Sequence, residues 1–369
     1  MLQAKFTHSL WIGVVLGFVS LPLIALPLIA LPFIALPFIA GPAVAQQATK
    51  DARTAAGGLD KVSFGTNWVA EAEHGGFYQA LADGTYKRYG LDVTIVPGGP
   101  NVNNRILLAV GKLDFFMSAN TLQTFDAATQ NVPTVAVAAM FQKDPQVLIA
   151  HPGANAQTFS DLKKLTLYVS KEGMTSYFQW LKSEYGFEES QVKPYNFNPQ
   201  PFLVDGNSAM QGYVTSEPYA IEKITSTKPK IFLLADYGFS SYSTLIETRR
   251  QLIEDKPDLV QRFVDASIVG WYHYLYGDNR AGNELIKKRN PEMTDDLLAN
   301  SVARMKEYGI VDSGDALTLG IGAMSDARVA SFFDKMVHAG VVKPTVNFHR
   351  AYTLQFVNKR VGVELRPAR

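Results

Sequence analysis

The chain has 369 residues, 47% of them hydrophobic and 19% charged, an ordinary globular composition with material for a large core. Its 35 basic and 34 acidic residues nearly cancel, which gives no electrostatic case for binding nucleic acid or an anionic membrane surface. It has no cysteine, which excludes disulfides, thiol catalysis, cysteine metal ligands and a lipid-bearing cysteine at an export cleavage site.

Residues 1–45 hold Lys5 and no acid, then an apolar run in which LPLIA, LPLIA, LPFIA, LPFIA repeat over 21–40, and they close on Ala43-Val44-Ala45. A basic start, an apolar centre and a small-x-small end predict a secretory signal peptide cleaved after Ala45. The length of the run also fits an uncleaved membrane anchor, but a proline every fifth residue opposes a continuous helix. Cleavage leaves 34 basic and 34 acidic residues. A non-lipidated exported protein of this kind is expected in the periplasm of a double-membraned bacterium. Residues 46–60 are polar and rich in alanine and glycine, a flexible lead-in.

From residue 61 strand and helix signals alternate. Strands are predicted at 62–66, 91–96, 113–117 and 134–141, and helices at 76–89, 103–110 and 121–130, with Gly90 stopping the first helix. The pattern restarts with strands at 146–150, 165–170, 211–215 and 231–235 and a helix at 175–185 ending at Gly186. His151-Pro152-Gly153 is a candidate hinge, and Ser160 a candidate helix cap. Residues 237–248 read as a return crossing. From Pro257 helices are predicted at 257–276, 280–289, 294–308 and 325–339. Such alternation predicts mostly parallel sheets covered by helices. It yields two α/β lobes, 61–145 with 245–369 and 146–244, joined by two crossings, with a helical C-terminal portion.

In open α/β sheets ligands bind at the carboxyl ends of strands, which here face the cleft between lobes. After the first strand comes NWVAEAEHGGFYQA, with Asn67, Trp68, Glu71, Glu73, His74, Phe77 and Tyr78. Ser118 and Asn120 follow a later strand. The second lobe offers Glu172 and Thr175, then Asn196 and Asn198, then Glu217 and Tyr219. The expected ligand contacts are Asn67, Trp68, His74, Phe77, Tyr78, Ser118 and Asn120 on one wall and Thr175, Glu217 and Tyr219 on the other. Rings and carboxylates with almost no lysine or arginine suit a flat, nitrogen-rich, neutral or weakly cationic ring, stacked on Trp68 or Tyr219 and donating to Glu217. A sulfonate or nitrate would have to rely on helix N-termini. Trp68 and Phe77 equally suit a core, Gly75-Gly76 a simple turn, and Glu217 before Pro218 a solvated turn. The run Trp271 to Tyr276 reads as helix packing.

Catalytic signatures are sparse. The six histidines are scattered, no His-Glu-x-x-His, phosphate-loop or Gly-x-Ser-x-Gly pattern occurs, and Glu71 and Glu73 are weak evidence for acid–base work. No enzyme activity, cofactor or metal is expected.

Thr66-Asn67-Trp68, then His74-Gly75-Gly76-Phe77-Tyr78-Gln79-Ala80, then Tyr89-Gly90-Leu91-Asp92-Val93, then Gly111-Lys112-Leu113-Asp114-Phe115 stand in an order that resembles the periplasmic solute-binding proteins of nitrate, sulfonate and taurine ABC importers. The branch that binds thiamine pyrimidine precursors is the most similar, and Ser216-Glu217-Pro218-Tyr219 and the segment from Lys256-Pro257 also match. The resemblance covers 61–360. It implies the type II periplasmic-binding clamshell, a monomer that closes on a small solute, and delivery to a permease and its ATPase at the inner membrane. A thiamine-related pyrimidine is the expected solute, with a riboflavin-like compound, an alkanesulfonate or taurine as alternatives. The same superfamily holds the thiamine pyrimidine synthase, which needs a lysine for pyridoxal phosphate, a nearby histidine and a cysteine-rich iron-binding run. Matched on Gly111-Lys112-Leu113-Asp114, these fall at Ser118 and Leu122, and the cysteine run is missing.

Overall fold

The computed structural model describes residues 58–99 and 102–368. The expected signal peptide over 1–45, its cleavage point and most of the lead-in lie outside the described residues. The lead-in ends earlier than expected, because Asp60 is already paired with Leu91.

The chain first lays down β1 (Asp60–Gly65), β2 (Leu91–Val96), β3 (Phe115–Asn120) and β4 (Thr134–Phe141). It then crosses to β5 (Gln146–Ala150), β6 (Thr166–Val169), β7 (Val192–Pro194), β8 (Ser208–Tyr213) and β9 (Lys230–Leu233), and returns as β10 (Ser243–Arg249). Two five-stranded sheets result, ordered β2-β1-β3-β10-β4 and β7-β6-β8-β5-β9. This is the two-lobe α/β architecture expected, with one departure. The sheets are mixed: β10 runs antiparallel to β3 and β4, and β5 antiparallel to β8 and β9. β5 and β10 are the strands that arrive from the other sheet, so no helical crossover constrains them to run parallel.

The apolar run TVAVAAMF of β4 is buried along its whole length although β4 ends its sheet. The C-terminal segment covers that edge: the Ala136 and Ala139 amides donate to the carbonyls of Ala351 (2.9 Å) and Gly322 (3.0 Å). A bare edge of this apolarity would invite pairing with another chain.

Around the sheets pack α1 (Gly75–Ala82), α2 (Asn104–Ala109), α3 (Thr121–Thr129), α4 (Tyr177–Tyr185), α5 (Glu217–Thr225), α6 (Pro257–Tyr276), α7 (Arg280–Arg289), α8 (Asp295–Glu307) and α9 (Asp326–His338). The helix expected over 76–89 is interrupted after Ala82. There Asp83 accepts from the Thr85 amide and hydroxyl (2.9 and 2.6 Å) and faces His273 Nδ1 (2.7 Å), and Gly84 takes a left-handed conformation at φ 76°. Asp83 prefers these local bonds to continuing the helix.

The segments between the sheets are 142–145 and 234–242. The hinge expected at His151 is instead a turn that closes β5, with the imidazole stacked on Phe202 at 4.1 Å. Arg328 of α9 ties the true crossings together. It donates to the Gln142 carbonyl on one and the Ser240 and Ser241 carbonyls on the other, and its guanidinium lies 4.0 Å from the Tyr242 ring centroid.

Gly75 and Gly76 do more than ease a turn. A Cβ on Gly76 would lie 2.3 Å from the Trp271 ring, one on Gly75 2.1 Å from the Tyr274 ring, and one on Gly270 2.3 Å from the Gly76 carbonyl. Helices α1 and α6 therefore cross at nearly backbone contact, with Trp271 wedged between Phe77 (5.9 Å) and Phe141 (5.3 Å). Gly76→Ala is expected to destabilise the fold by about 1–3 kcal/mol, the usual cost of overpacking a filled core. Urea unfolding measures it, and an unchanged midpoint would mean that α6 can slide aside.

Candidate ligand-binding site

The loop between β1 and α1 is fixed from three sides. The Thr66 hydroxyl donates to the Trp68 carbonyl (2.8 Å) and accepts from the Gly98 amide (3.1 Å). Asn104 donates to the carbonyls of Thr66 (2.9 Å) and Val96 (3.1 Å), and Asn290 donates to that of Ala70 (2.9 Å). Gly98 is needed here, since a Cβ would sit 2.5 Å from the Thr66 oxygen. Held in this way, the loop sends Asn67, Trp68 and Glu71 into a cavity of about 350 Å³ lined from both sheets and the crossings.

The facing wall comes from β6 to β8 and their following turns. Gln211 Oε1 accepts from the Ser170 amide (2.6 Å) and the Tyr177 hydroxyl (3.0 Å). Glu217, the first residue of α5, accepts through Oε2 from the Tyr213 amide (2.7 Å) and the Ser216 hydroxyl (2.6 Å). Gly212 leaves room for it, as a Cβ there would lie 2.9 Å from Glu217 Cβ. Aromatic rings close the mouth. Trp68 meets Phe197 across the cleft at 5.4 Å, and Tyr195 backs Phe197 at 5.5 Å. Phe197 is 59% exposed and sits at φ 60°, a left-handed conformation uncommon outside glycine.

Four carboxylates line the cavity, Glu71, Asp144, Glu172 and Glu217, with no lysine, arginine or histidine among the described lining residues. Burial pushes Glu71 well above the usual carboxylate range, and the charges of Glu73 and Glu217 push it further. Asp144 is raised to about 7 by burial, with the Glu172 charge adding to it. Glu73, behind the wall, is also raised to about 7 by burial, and it accepts a short hydrogen bond from the Thr215 hydroxyl of the other lobe. Ser301 of α8 donates to the Thr215 carbonyl (2.7 Å), so the C-terminal helices brace this bridge. Among the described residues no group of three or more His, Cys, Asp or Glu is placed to hold a metal ion.

Of the residues expected at the ligand, the structure brings Asn67, Trp68, Asn120 and Glu217 together on the cavity wall. Asn120 also caps α3, accepting from the Leu122 amide at 3.1 Å. The others lie elsewhere. Phe77 and Tyr78 are buried on α1 against the core, and Ser118 is fully buried in the first sheet. His74 is fully buried, and burial lowers its imidazole to about 3, so its 3.6 Å approach to Glu71 is not an ion pair. Thr175 faces solvent with its hydroxyl on the Glu172 carbonyl (3.1 Å), and Tyr219 lies along α5 under Lys223 Nζ at 5.1 Å. Sequence reasoning missed Gln123, Asp144, Tyr177, Gln211, Tyr195 and Phe197. For the last two it took the neighbouring Asn196 and Asn198, the wrong alternate positions, because β7 went unrecognised.

A family model described as NMT1/THI5 like matches residues 71–278. The chain belongs to the NMT1/THI5-like family. The riboflavin-binding protein RibY of Chloroflexus aurantiacus is 21% identical over 308 residues, which cover 81% of this chain and 86% of that protein. The 4-amino-5-hydroxymethyl-2-methylpyrimidine phosphate synthase of Schizosaccharomyces pombe is 24% identical over 222 residues, 56% of this chain and 63% of that one. Among solved structures, the periplasmic aliphatic sulphonate binding protein SsuA of Escherichia coli superposes with a TM-score of 0.60 at 14% identity, covering 79% of this chain and 91% of that one. The fold of this NMT1/THI5-like chain is thus the periplasmic-binding clamshell. Among the described residues no helix is long and apolar enough to cross a membrane.

The raised carboxylates of this NMT1/THI5-like cleft set a pH dependence. Glu73 rises from 4.5 to about 7 and Asp144 from 3.8 to about 7 on folding. Within that window the folded chain holds protons that the unfolded chain has released, so stability falls as pH rises and levels off above about 7. Glu73 alone contributes on the order of 3 kcal/mol to this slope. Urea unfolding of the ligand-free protein should give a higher midpoint near pH 5 than near pH 8, with Glu73→Gln reducing the difference and leaving the part that comes from Asp144. An equal slope in the variant would remove Glu73 as its source.

Proposed function

We propose that the chain is the periplasmic solute-binding component of an ABC importer for a small heteroaromatic compound, with a thiamine-related pyrimidine as the solute. The observation that carries this reading is the interlobe cavity walled by Trp68, Tyr195 and Phe197 and by carboxylates from both lobes. Stacking rings fix a flat solute by its faces, and Glu217 accepts from an amino group on its edge. The solute would bind one lobe of an open state, the lobes would close about 142–145 and 234–242, and the closed monomer would dock on the permease and its ATPase. RibY, by its name a riboflavin-binding protein, supports a riboflavin-like solute as the second reading, since it aligns over most of both chains. A sulfonate, as bound by the SsuA neighbour, is disfavoured by a wall of carboxylates.

The synthase reading fits the residues poorly. The positions that the resemblance gives to its lysine and histidine hold Ser118 and Leu122, fully and largely buried, and the chain has no cysteine for an iron-binding run. A binding role needs none of these groups.

A thermal-shift screen of the purified protein against aminopyrimidines, thiamine, riboflavin, taurine and alkanesulfonates tests the proposal. A true solute at a hundred times its Kd adds about 2.7 kcal/mol and raises the midpoint visibly. Trp68→Ala should abolish the shift while leaving the unliganded midpoint near that of the parent. Loss of folding in that variant would place Trp68 in the core instead, and a flat response to the whole panel would count against a receptor for these solutes.

A further inference from the structure

We propose that the cavity takes its solute as a cation, an aromatic ring carrying a protonated or quaternary nitrogen. This rests on the solute-binding reading and narrows it. Charge alone would not carry the inference, because acidic groups cluster on many surfaces. The unpartnered Asn67 oxygen, the aromatic faces and a described lining without lysine, arginine or histidine carry it together.

Four backbone amides at the cleft that could hold an anion are already occupied by side chains. The Ala119 amide donates to Gln123 Oε1 (2.9 Å), and the Ser170 amide to Gln211 Oε1 (2.6 Å). The Gly173 amide donates to Ser170 Oγ (3.1 Å), and the Tyr213 amide to Glu217 Oε2 (2.7 Å). These four donors are thereby taken up from within the cleft.

Three side-chain donors of the wall are engaged in the same way. Gln123 Nε2 reaches Glu172 (3.4 Å), Gln146 Nε2 the Gly212 carbonyl (3.0 Å), and the Tyr177 hydroxyl Gln211 (3.0 Å). Asn67 Oδ1 is buried at the cavity without a hydrogen-bond partner, and four carboxyl groups line it with no lysine, arginine or histidine among the described lining residues. Such a wall suits a solute that brings donors and positive charge, and the π faces of Trp68 and Tyr195 favour positive charge as well. An anion placed here would find no basic side chain among the described lining residues to offset its desolvation.

Three aminopyrimidines that differ only in an aminomethyl, a hydroxymethyl or a sulfomethyl arm, tested with the matching benzyl series, separate the possibilities by titration calorimetry near pH 7.5. The aminomethyl cation is expected to bind at least tenfold more tightly than the neutral alcohol, with no binding of the sulfonate. Raising the salt should weaken the cation more than the alcohol. Asp144→Asn and Glu217→Gln, each checked for an unchanged fold by circular dichroism, should bring the cation-to-alcohol ratio toward one. Equal or tighter binding of the alcohol or the sulfonate would overturn the charge assignment while leaving the receptor role intact. If none of the compounds, nor any of the wider solute panel, binds at millimolar concentration, the receptor reading itself fails and the charge assignment with it.

Discussion

The close crossing of α1 and α6 is the constraint on which the cleft depends. Gly76, Ala80 and Gly270 let the two backbones approach until a single methyl would collide with the carbonyl of Gly76 or the ring of Trp271. Because α1 cannot move relative to α6, the loop that enters it has a fixed end point. Its other end leaves β1 under the bonds of Thr66, Gly98 and Asn104. Asn67, Trp68 and Glu71 are therefore presented by a loop anchored at both ends. Pre-organisation of this kind lowers the ordering cost that a binding loop would otherwise incur when the solute arrives.

The other wall belongs to the second sheet, and its relation to the first runs through two short segments. Arg328 holds both of them at once, through carbonyls on each and the face of Tyr242. The clamp sits at the pivot, while the contacts that span the cleft lie away from it. These are Glu73 with Thr215, Gln123 with Glu172, and Trp68 with Phe197. A tight pivot with a few polar and aromatic contacts away from it is the arrangement that hinge closure requires, since such contacts can break while the pivot stays packed.

Much of the fold was legible in the sequence because its signals are local. The apolar run of β4, the alternation in β2, and the Lys256-Pro257 start and Gly277 stop of α6 each announce an element, and the structure gives these three the expected bounds. The three-residue β7 carries too short a pattern to be seen, and with it was lost the parity that sends Tyr195 and Phe197 inward. The wall was legible only where a side chain follows a strand end directly, as Asn67, Trp68 and Asn120 do, or opens a helix after one, as Glu217 does. His74, Phe77 and Tyr78 share the same stretch, but His74 ends the short 3-10 turn that precedes α1 and the other two lie in its first turns, and the packing of α1 against α6 keeps all three buried. Asp144 gave no signal of its own. It lies in a crossing, and its importance comes from burial beside Glu172, which only the assembled cleft reveals.

Specificity in such a scaffold can reside in the side chains at the cleft rather than in the backbone. A two-sheet clamshell brings strand ends and helix starts to its cleft whatever the solute, and those ends expose amide donors by default. Left open, they favour an anion. In this chain Gln123, Ser170, Gln211 and Glu217 each turn back onto an amide at the cleft. Each such bond removes one donor from the wall, and two of them go to the carboxamides of Gln123 and Gln211 on neighbouring elements, which also stiffens the wall. Glu217 does both tasks at once, silencing an amide and adding a negative charge. Occupying these amides needs no change of backbone, only side chains that reach them from one turn away, as Gln123 and Glu217 do, or from a neighbouring strand, as Gln211 does. The same backbone can therefore offer a solute a different set of donors when only the side chains at the cleft differ.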